Sequence, residues 1–390
     1  MGTEKGYLVS QPDDFEDFIC TGALCPDSCC IGWWDIVLDD AALERYHKER
    51  DGEFREMLAH AVAWEEEDGR PIAVIRMGAG KRCPFLRNDG WCSIQRRTEE
   101  KNLSMTCRTY PRVLYHFRGG EAFRSVCVSC PAAAEQVLLR NTTLTFVEKE
   151  VPASWEDGLR VQGREEHIKG TAGIVRAHLM EIVRDGNLTL AERIRKCDAF
   201  VWKVESFSGH HAEHHIMQYI DEEEAGGISY APVSEEVHLA AVRSVLKMRR
   251  QNPSLRPDFA SRLEDVLFHT SEIENWRDNL EFYDAFAKKR LGRFWMNYLL
   301  LQIFQDMLPT EETNLTGEIW ARLIIVFSLV LSFVQTDFIT SPDDWTVKRA
   351  AAAVQLGVRF TKHDDAFLNQ VLAAVGEKAG FREFCRELIG

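Results

Sequence analysis

Cys20-Thr21-Gly22-Ala23-Leu24-Cys25-Pro26-Asp27-Ser28-Cys29-Cys30 sets four thiols into one short, irregular stretch. Three further groups follow. They are Cys83-Pro84-Phe85-Leu86 with Cys92-Ser93-Ile94, then Cys107-Arg108-Thr109-Tyr110-Pro111-Arg112, then Cys127 and Cys130-Pro131. Of the eleven cysteines, nine lie between Cys20 and Cys130. Thiolates are soft donors that select zinc, copper(I) or iron–sulfur clusters. No spacing matches a zinc ribbon, which repeats Cys-x2-Cys, nor the Cys-x3-Cys-x2-Cys run of radical enzymes. The neighbours Cys29 and Cys30 diverge on any regular strand or helix, so unless a special loop holds them they serve different ligands or one is structural. Two cysteines stand apart: Cys197 and Cys385 sit alone in helical patterns and are expected in a core.

Outward from these clusters the chain divides by texture. Phe15 to about Ser129 is irregular, with Gly and Pro punctuation, short apolar runs such as Trp33 to Leu38, and one helical pattern from Asp40 to about Trp64. In such segments metal bonds can substitute for apolar burial. After Pro131, which suits a first helical position, the spacing predicts helices near 168–185, 189–207, 234–250, 257–269, 275–289, 291–306, 316–336, 342–360, 363–377 and 380–388. Ser341-Pro342-Asp343-Asp344 reads as the cap and first turn of one of them. The expectation is a mainly α protein: an irregular cysteine-rich metal- or cluster-binding module over 1–130, packed on a multi-helix body over 131–390.

Charge narrows the partners. Net charge is −14, yet residues 81–140 hold eleven Lys or Arg against five acids, a local +6 that leaves −20 elsewhere. An acidic chain neutralises few phosphates, so nucleic acid is not an expected partner. The basic segment coincides with cysteines and is suited to offset thiolate charge. The longest apolar run, Leu323 to Val334, is too short to cross about 30 Å of hydrocarbon, and no membrane partner is expected. Met1 to Asp17 is polar and acidic, without the form of a secretory signal. The expected location is the reducing cytoplasm, where dense thiols favour metal over disulfides.

Other motifs carry less. His210-His211-Ala212-Glu213-His214-His215 has two His pairs at i, i+4, a zinc-capable geometry on a helix, but reads as a solvated polar face. Gly78-Ala79-Gly80-Lys81 lacks the spacing of a phosphate loop, and no Gly-x-Gly-x-x-Gly follows a strand.

The run Phe18-Ile19-Cys20 through Cys29-Cys30-Ile31-Gly32-Trp33 resembles the opening motif of the FliB-type flagellin lysine-N-methylases. The likeness continues through Cys83-Pro84-Phe85-Leu86, Cys92-Ser93-Ile94, Leu103-Ser104-x2-Cys107, Tyr110-Pro111-Arg112, Ser129-Cys130-Pro131 and Asn297-Tyr298-Leu299. A broader family of zinc- or iron-chelating proteins shares the cysteine pattern. The resemblance implies an iron–sulfur cluster, [4Fe–4S] or with zinc in its place, and transfer of a methyl group from S-adenosylmethionine to flagellin lysines. The ligand candidates it carries over are Cys20, Cys25, Cys29, Cys30, Cys83, Cys92, Cys107 and Cys130. Eight exceed the four that one [4Fe–4S] cluster needs, so either two centres exist or several cysteines are structural. Arg108, Tyr110 and Arg112 are candidates to position the cofactor carboxylate or to donate to cysteine sulfur. Trp33 and Trp34 suit stacking on a sulfonium or adenine or shielding the cluster. The alternative function is a non-catalytic zinc- or iron-binding protein that stores, delivers or senses metal.

Overall fold

The computed structural model describes residues 7–32, 36–67, 69–117, 120–151, 162–164, 168–207, 211–226, 233–252, 255–286, 288–309, 316–376 and 378–390. The chain forms two compact units. The first comprises Met1–His116, Gly120–Ala133 and Phe146–Arg164, and the second comprises Phe117–Gly119, Ala134–Thr145 and Glu165–Gly390.

The first unit departs from the irregular module expected, because it contains two sheets. One has the order β7-β1-β6-β5-β8, formed by β1 (Tyr7–Pro12), β5 (Arg112–Phe117), β6 (Ala122–Val126), β7 (Phe146–Val151) and β8 (Gln162–Arg164). β1 runs antiparallel to β7 and parallel to β6, with Ser10 opposite Phe123. β6 is buried along its whole length, as a central strand covered on both faces must be. The smaller sheet has the order β2-β4-β3, from β2 (Ile36–Val37), β3 (Val62–Glu67) and β4 (Arg70–Ile75).

The single helix expected over 40–64 is two, α1 (Asp40–His47) and α2 (Gly52–Ala61), followed directly by β3. Each has its own aspartate cap: Ala42 N donates to Asp39 Oδ1 at 2.8 Å and Phe54 N to Asp51 Oδ1 at 3.1 Å. A second cap within the pattern restarts the helix, and the β-branched Val62 ends it. α3 (Ser93–Arg97) and α4 (Met105–Thr109) are single turns, the first opening at Cys92 and the second carrying Cys107. α1, α2, β2 and β4 enclose one apolar core of Leu38, Tyr46, Phe54, Leu58, Ile75 and Phe85, into which Cys83 is built.

α5 (Pro131–Leu138) starts directly after Cys130, as its leading proline predicts. The regular elements that follow β8, all in the second unit, are helices: α6 (Ala172–Arg184), α7 (Leu190–Glu205), α8 (Ala212–Gly226), α9 (Glu235–Arg250), α10 (Pro257–His269), α11 (Ile273–Phe286), α12 (Lys288–Asp306), α13 (Thr316–Thr340), α14 (Val347–Thr361), α15 (Asp365–Val375) and α16 (Lys378–Ile389). The start expected at Pro342 lies five residues further on. Thr346 is the cap, accepting from Arg349 N at 3.2 Å, and Pro342 to Asp344 form the preceding turn.

α13 is apolar on every face and packs against α14, α16, α7, α10 and α9. By length and composition it could cross a membrane, being longer than the apolar run within it, but 78% of its most apolar window is buried inside the protein. A helix apolar all round that is surrounded by other helices is the centre of a core. Its start is fitted to α7. A Cβ on Gly317 would stand 2.8 Å from Trp202 Cη2 and nearer still to Cζ3, so only glycine allows this approach. Beside it, the buried Asp198 accepts from both Trp202 Nε1 (3.0 Å) and Trp320 Nε1 (2.8 Å).

Candidate metal centre

Hydrogen bonds of the cysteine-bearing loops explain how distant thiols meet. Cys83 N donates to Cys30 O at 2.8 Å and Gly32 N to Lys81 O at 2.9 Å, which zips the first cluster to the second along a two-residue ladder. Cys92 is brought back to the same place by a turn: Leu86 bridges Cys92, and Ser93 N donates to Phe85 O at 2.7 Å. Gly90 closes that turn with φ +81° and carries no Cβ against Ala23. Gly22 lies flat on the Trp91 ring for the same reason, since a Cβ there would be 2.9 Å from it. The loop carrying Cys20 and Cys25 is thereby seated on the 87–91 turn.

Cys107 arrives on α4. Ser104 caps this helix by accepting from Cys107 N itself at 3.2 Å, and Asp39 Oδ2 accepts from Met105 N at 2.6 Å. One carboxylate thus caps α1 and anchors the start of α4.

The outcome is a cavity of about 180 Å³ with Cys20, Cys29, Cys30, Cys83, Cys92 and Cys107 in its wall. Six of the eight expected ligands therefore converge; Cys25 and Cys130 lie outside the lining. Arg108, Tyr110 and Arg112 line the same cavity. Arg108 Nη2 donates to Met105 Sδ at 3.3 Å, Tyr110 Oη pairs with Ser129 Oγ at 3.0 Å, and the Arg112 guanidinium lies 5.0 Å from the Phe18 ring centre. Trp33 and Trp34 lie outside the described residues.

Electrostatics divide the thiols. Cys30 is within reach of Cys83, Cys92 and Cys107, and its negative charge would raise all three. Burial already holds Cys83 and Cys107 up at about 12. A second group joins Cys130, raised by burial to about 11, with Cys25 and Cys20. Cys29 touches both groups, and its hydrogen bond with the Cys30 thiol pushes it well up. Cys83, Cys107 and Cys130, so raised, are neutral thiols, and a cation that binds them displaces their protons.

Among the described residues no three His, Cys, Asp or Glu side chains converge closely enough to hold one metal ion. The thiols surround a space instead of pointing at one atom. A water occupies about 30 Å³ of liquid, so the cavity has the volume of several waters. A lone zinc, with sulfurs at about 2.3 Å, leaves no such space between its ligands. The sequence reading missed Tyr46. Tyr46 lines the cavity, and its buried Oη has no hydrogen-bond partner among the described residues. Only its helical spacing marked it, and that also describes a core tyrosine. That phenol lies within electrostatic reach of Cys107 and Cys92, and a donor without a partner there suits a group that accepts hydrogen bonds, such as the sulfurs of a cluster.

The histidine stretch follows its bland reading. His211, His214 and His215 are exposed at the start of α8, and His210 lies outside the described residues. Cys197 and Cys385 are buried within helices of the second unit, as expected.

Among curated proteins, this chain is similar to a flagellar biosynthetic protein, FliU, from Salmonella muenchen. The two are 28% identical over 147 residues, 37% of this chain and 86% of that protein. It is likewise similar to the lysine-N-methylases of Salmonella choleraesuis and Salmonella typhimurium, each 28% identical over 148 residues. That is 38% of this chain and 36% of each methylase, so the match spans about a third of their length. No family model matches the chain. No solved structure matches it. The resemblance to lysine-N-methylases drawn from the cysteine motifs is thus met by curated relatives that carry that name.

Proposed function

We propose that this chain is a cytoplasmic protein-lysine N-methyltransferase that moves a methyl group from S-adenosylmethionine to lysines of flagellin. The observation that carries this reading is the similarity to two Salmonella lysine-N-methylases and a flagellar biosynthetic protein. In the reaction the methyl carbon leaves the sulfonium sulfur as its new bond to lysine nitrogen forms. The nitrogen must arrive as the neutral amine, its proton already passed to a base or to solvent.

The cysteine cavity is read as the seat of an iron–sulfur cluster. Its volume, its thiol wall and the unpartnered Tyr46 hydroxyl support that choice over a single ion. Cys30, Cys83, Cys92 and Cys107 are the four that would hold it, since Cys83, Cys92 and Cys107 each feel Cys30, whereas Cys29, hydrogen-bonded to Cys30, also feels Cys20 of the neighbouring set. When bound, such a cluster supplies covalent cross-links among the loops that carry those residues. Cys20, Cys25, Cys29 and Cys130 form the neighbouring set. Arg108, Tyr110 and Arg112 act here as donors around the sulfurs.

Anaerobic purification, metal and sulfide analysis, and incubation with labelled S-adenosylmethionine and flagellin test both parts. Expected are broad absorption near about 400 nm from iron–sulfur charge transfer and label on flagellin lysines. A colourless zinc protein that leaves flagellin unlabelled sinks the proposal and favours the metal-binding alternative.

A further inference from the structure

Leu24 and Ile19 are 89% and 79% exposed, the two most exposed large apolar side chains among the described residues. Both belong to the loop that carries Cys20 and Cys25. Single apolar side chains on a surface are ordinary, whereas a group of them marks a place where something docks. Trp91, 42% exposed, adds a third, because Gly22 of this loop rests on its ring. The loop is also held still. Phe15 and Phe18 are buried on its approach. Leu24 N donates to Thr21 O and Cys25 N to Gly22 O, both at 3.1 Å, and Gly22 N donates to Cys20 Sγ at 3.4 Å. A loop fixed at several points has little freedom left to lose when a partner covers it.

Charge selects the occupant. Residues 13–27 hold five acids, Asp13, Asp14, Glu16, Asp17 and Asp27, and no Lys or Arg. Glu16 is taken up by Arg124 and, at 3.0 Å, by Lys149. Asp17, two residues before Ile19, is exposed. Acids beside apolar side chains repel phosphates, anionic lipid and acidic proteins. They attract an apolar surface that carries cations.

We infer that the loop over residues 13–27, together with Trp91, docks a lysine-bearing apolar surface of a protein substrate. Ile19, Leu24 and Trp91 bury their exposed area against it, and the carboxylates of the loop, Asp17 among them, attract its ammonium groups. Resting on the proposed function, that protein is flagellin. The same loop supplies Cys20 to the wall of the cysteine cavity, so the substrate is seated beside that cavity.

Binding of the full chain to immobilised flagellin, measured without S-adenosylmethionine, tests this. Affinity is expected to fall as salt is raised, since opposite charges are being screened. The double variant Ile19→Ser, Leu24→Ser is expected to weaken binding about tenfold or more, as loss of central apolar contacts does. Asp17→Lys should weaken it as well, and this variant decides the matter if the double variant fails to fold. Phe268→Ser, at an exposed position on α10 of the other unit, should bind as the native chain does. Undiminished affinity in the loop variants, with flagellin still labelled by the native chain, overturns the docking surface and leaves the methylase reading standing. Binding that the loop variants lose, without any label on flagellin, keeps the surface and removes the methylase reading. No binding by the native chain overturns the surface, and label on flagellin then judges the reading separately. Self-association of the native chain that Leu24→Ser abolishes gives this face to a second copy and also overturns the proposal.

Discussion

Cys83 sits in the apolar core with its amide bonded to Cys30, so serine there exchanges a soft ligand for a hard one with little change of shape. Cys83→Ser and Cys107→Ser are expected to lose iron and the visible band, whereas Cys385→Ser, in a helix of the other unit, keeps both. Full iron content in Cys83→Ser would remove it from the ligand set. Asp198 supplies a second prediction. Burial pushes its carboxyl up from 3.8 to about 6, against the pull of two indole hydrogen bonds. The unfolded chain gives up this proton first, so Asp198 makes the fold less stable as pH rises from about 4 to about 6, and the loss persists above. A rise of that size is worth about 3 kcal/mol. Asp198→Asn retains an acceptor for both indoles and should gain about 1–3 kcal/mol over the native chain at pH 8, with little gain at pH 4; urea unfolding at the two pH values measures it. At this scale the sequence was eloquent about sulfur, since soft ligands are recognised by type alone. It was silent about Tyr46, whose significance is an unmatched hydrogen bond that exists only once the chain has folded.

Helices were the legible elements. α10 occupies 257–269 as its spacing predicts, because Pro257 fixes the start and one apolar face is buried. Strands escaped notice. β6 is short and buried throughout, so it lacks alternation, and β1 pairs with segments far along the chain. Local pattern cannot report a partner so distant. The 40–64 pattern misled because its one turn signal, Asp51-Gly52, serves as cap and first residue of α2, so helical spacing resumes at once beyond it. Packing between elements gives its own test at Gly317. A methyl group there meets the Trp202 ring, so Gly317→Ala is expected to cost about 1–3 kcal/mol through overpacking, seen as a lower melting temperature. An unchanged melting curve would mean that α7 and α13 have room to separate.

For the molecule as a whole, a group held by Cys30, Cys83, Cys92 and Cys107 ties together loops of the first unit only. Removing it with a chelator is expected to speed amide hydrogen exchange in α4 and around residues 83–92 while leaving α13 and α14 protected. Faster exchange across α13 would show that the cluster sustains the helical unit as well. Texture suggested one boundary, between 130 and 131; the return of 146–164 to the first unit left no such sign, since only sheet pairing records it. That pairing also sets an order of events during synthesis. β1 lies between β6 and β7, with Ser10 opposite Phe123 on one side and Glu148 on the other. Such distant pairing closes slowly. As the chain emerges from the ribosome, every thiol from Cys20 to Cys130 is therefore made before β1 acquires both its neighbours. The nascent chain carries its cysteines bare through that interval, when oxidation or the wrong metal can claim them ahead of the finished sheet.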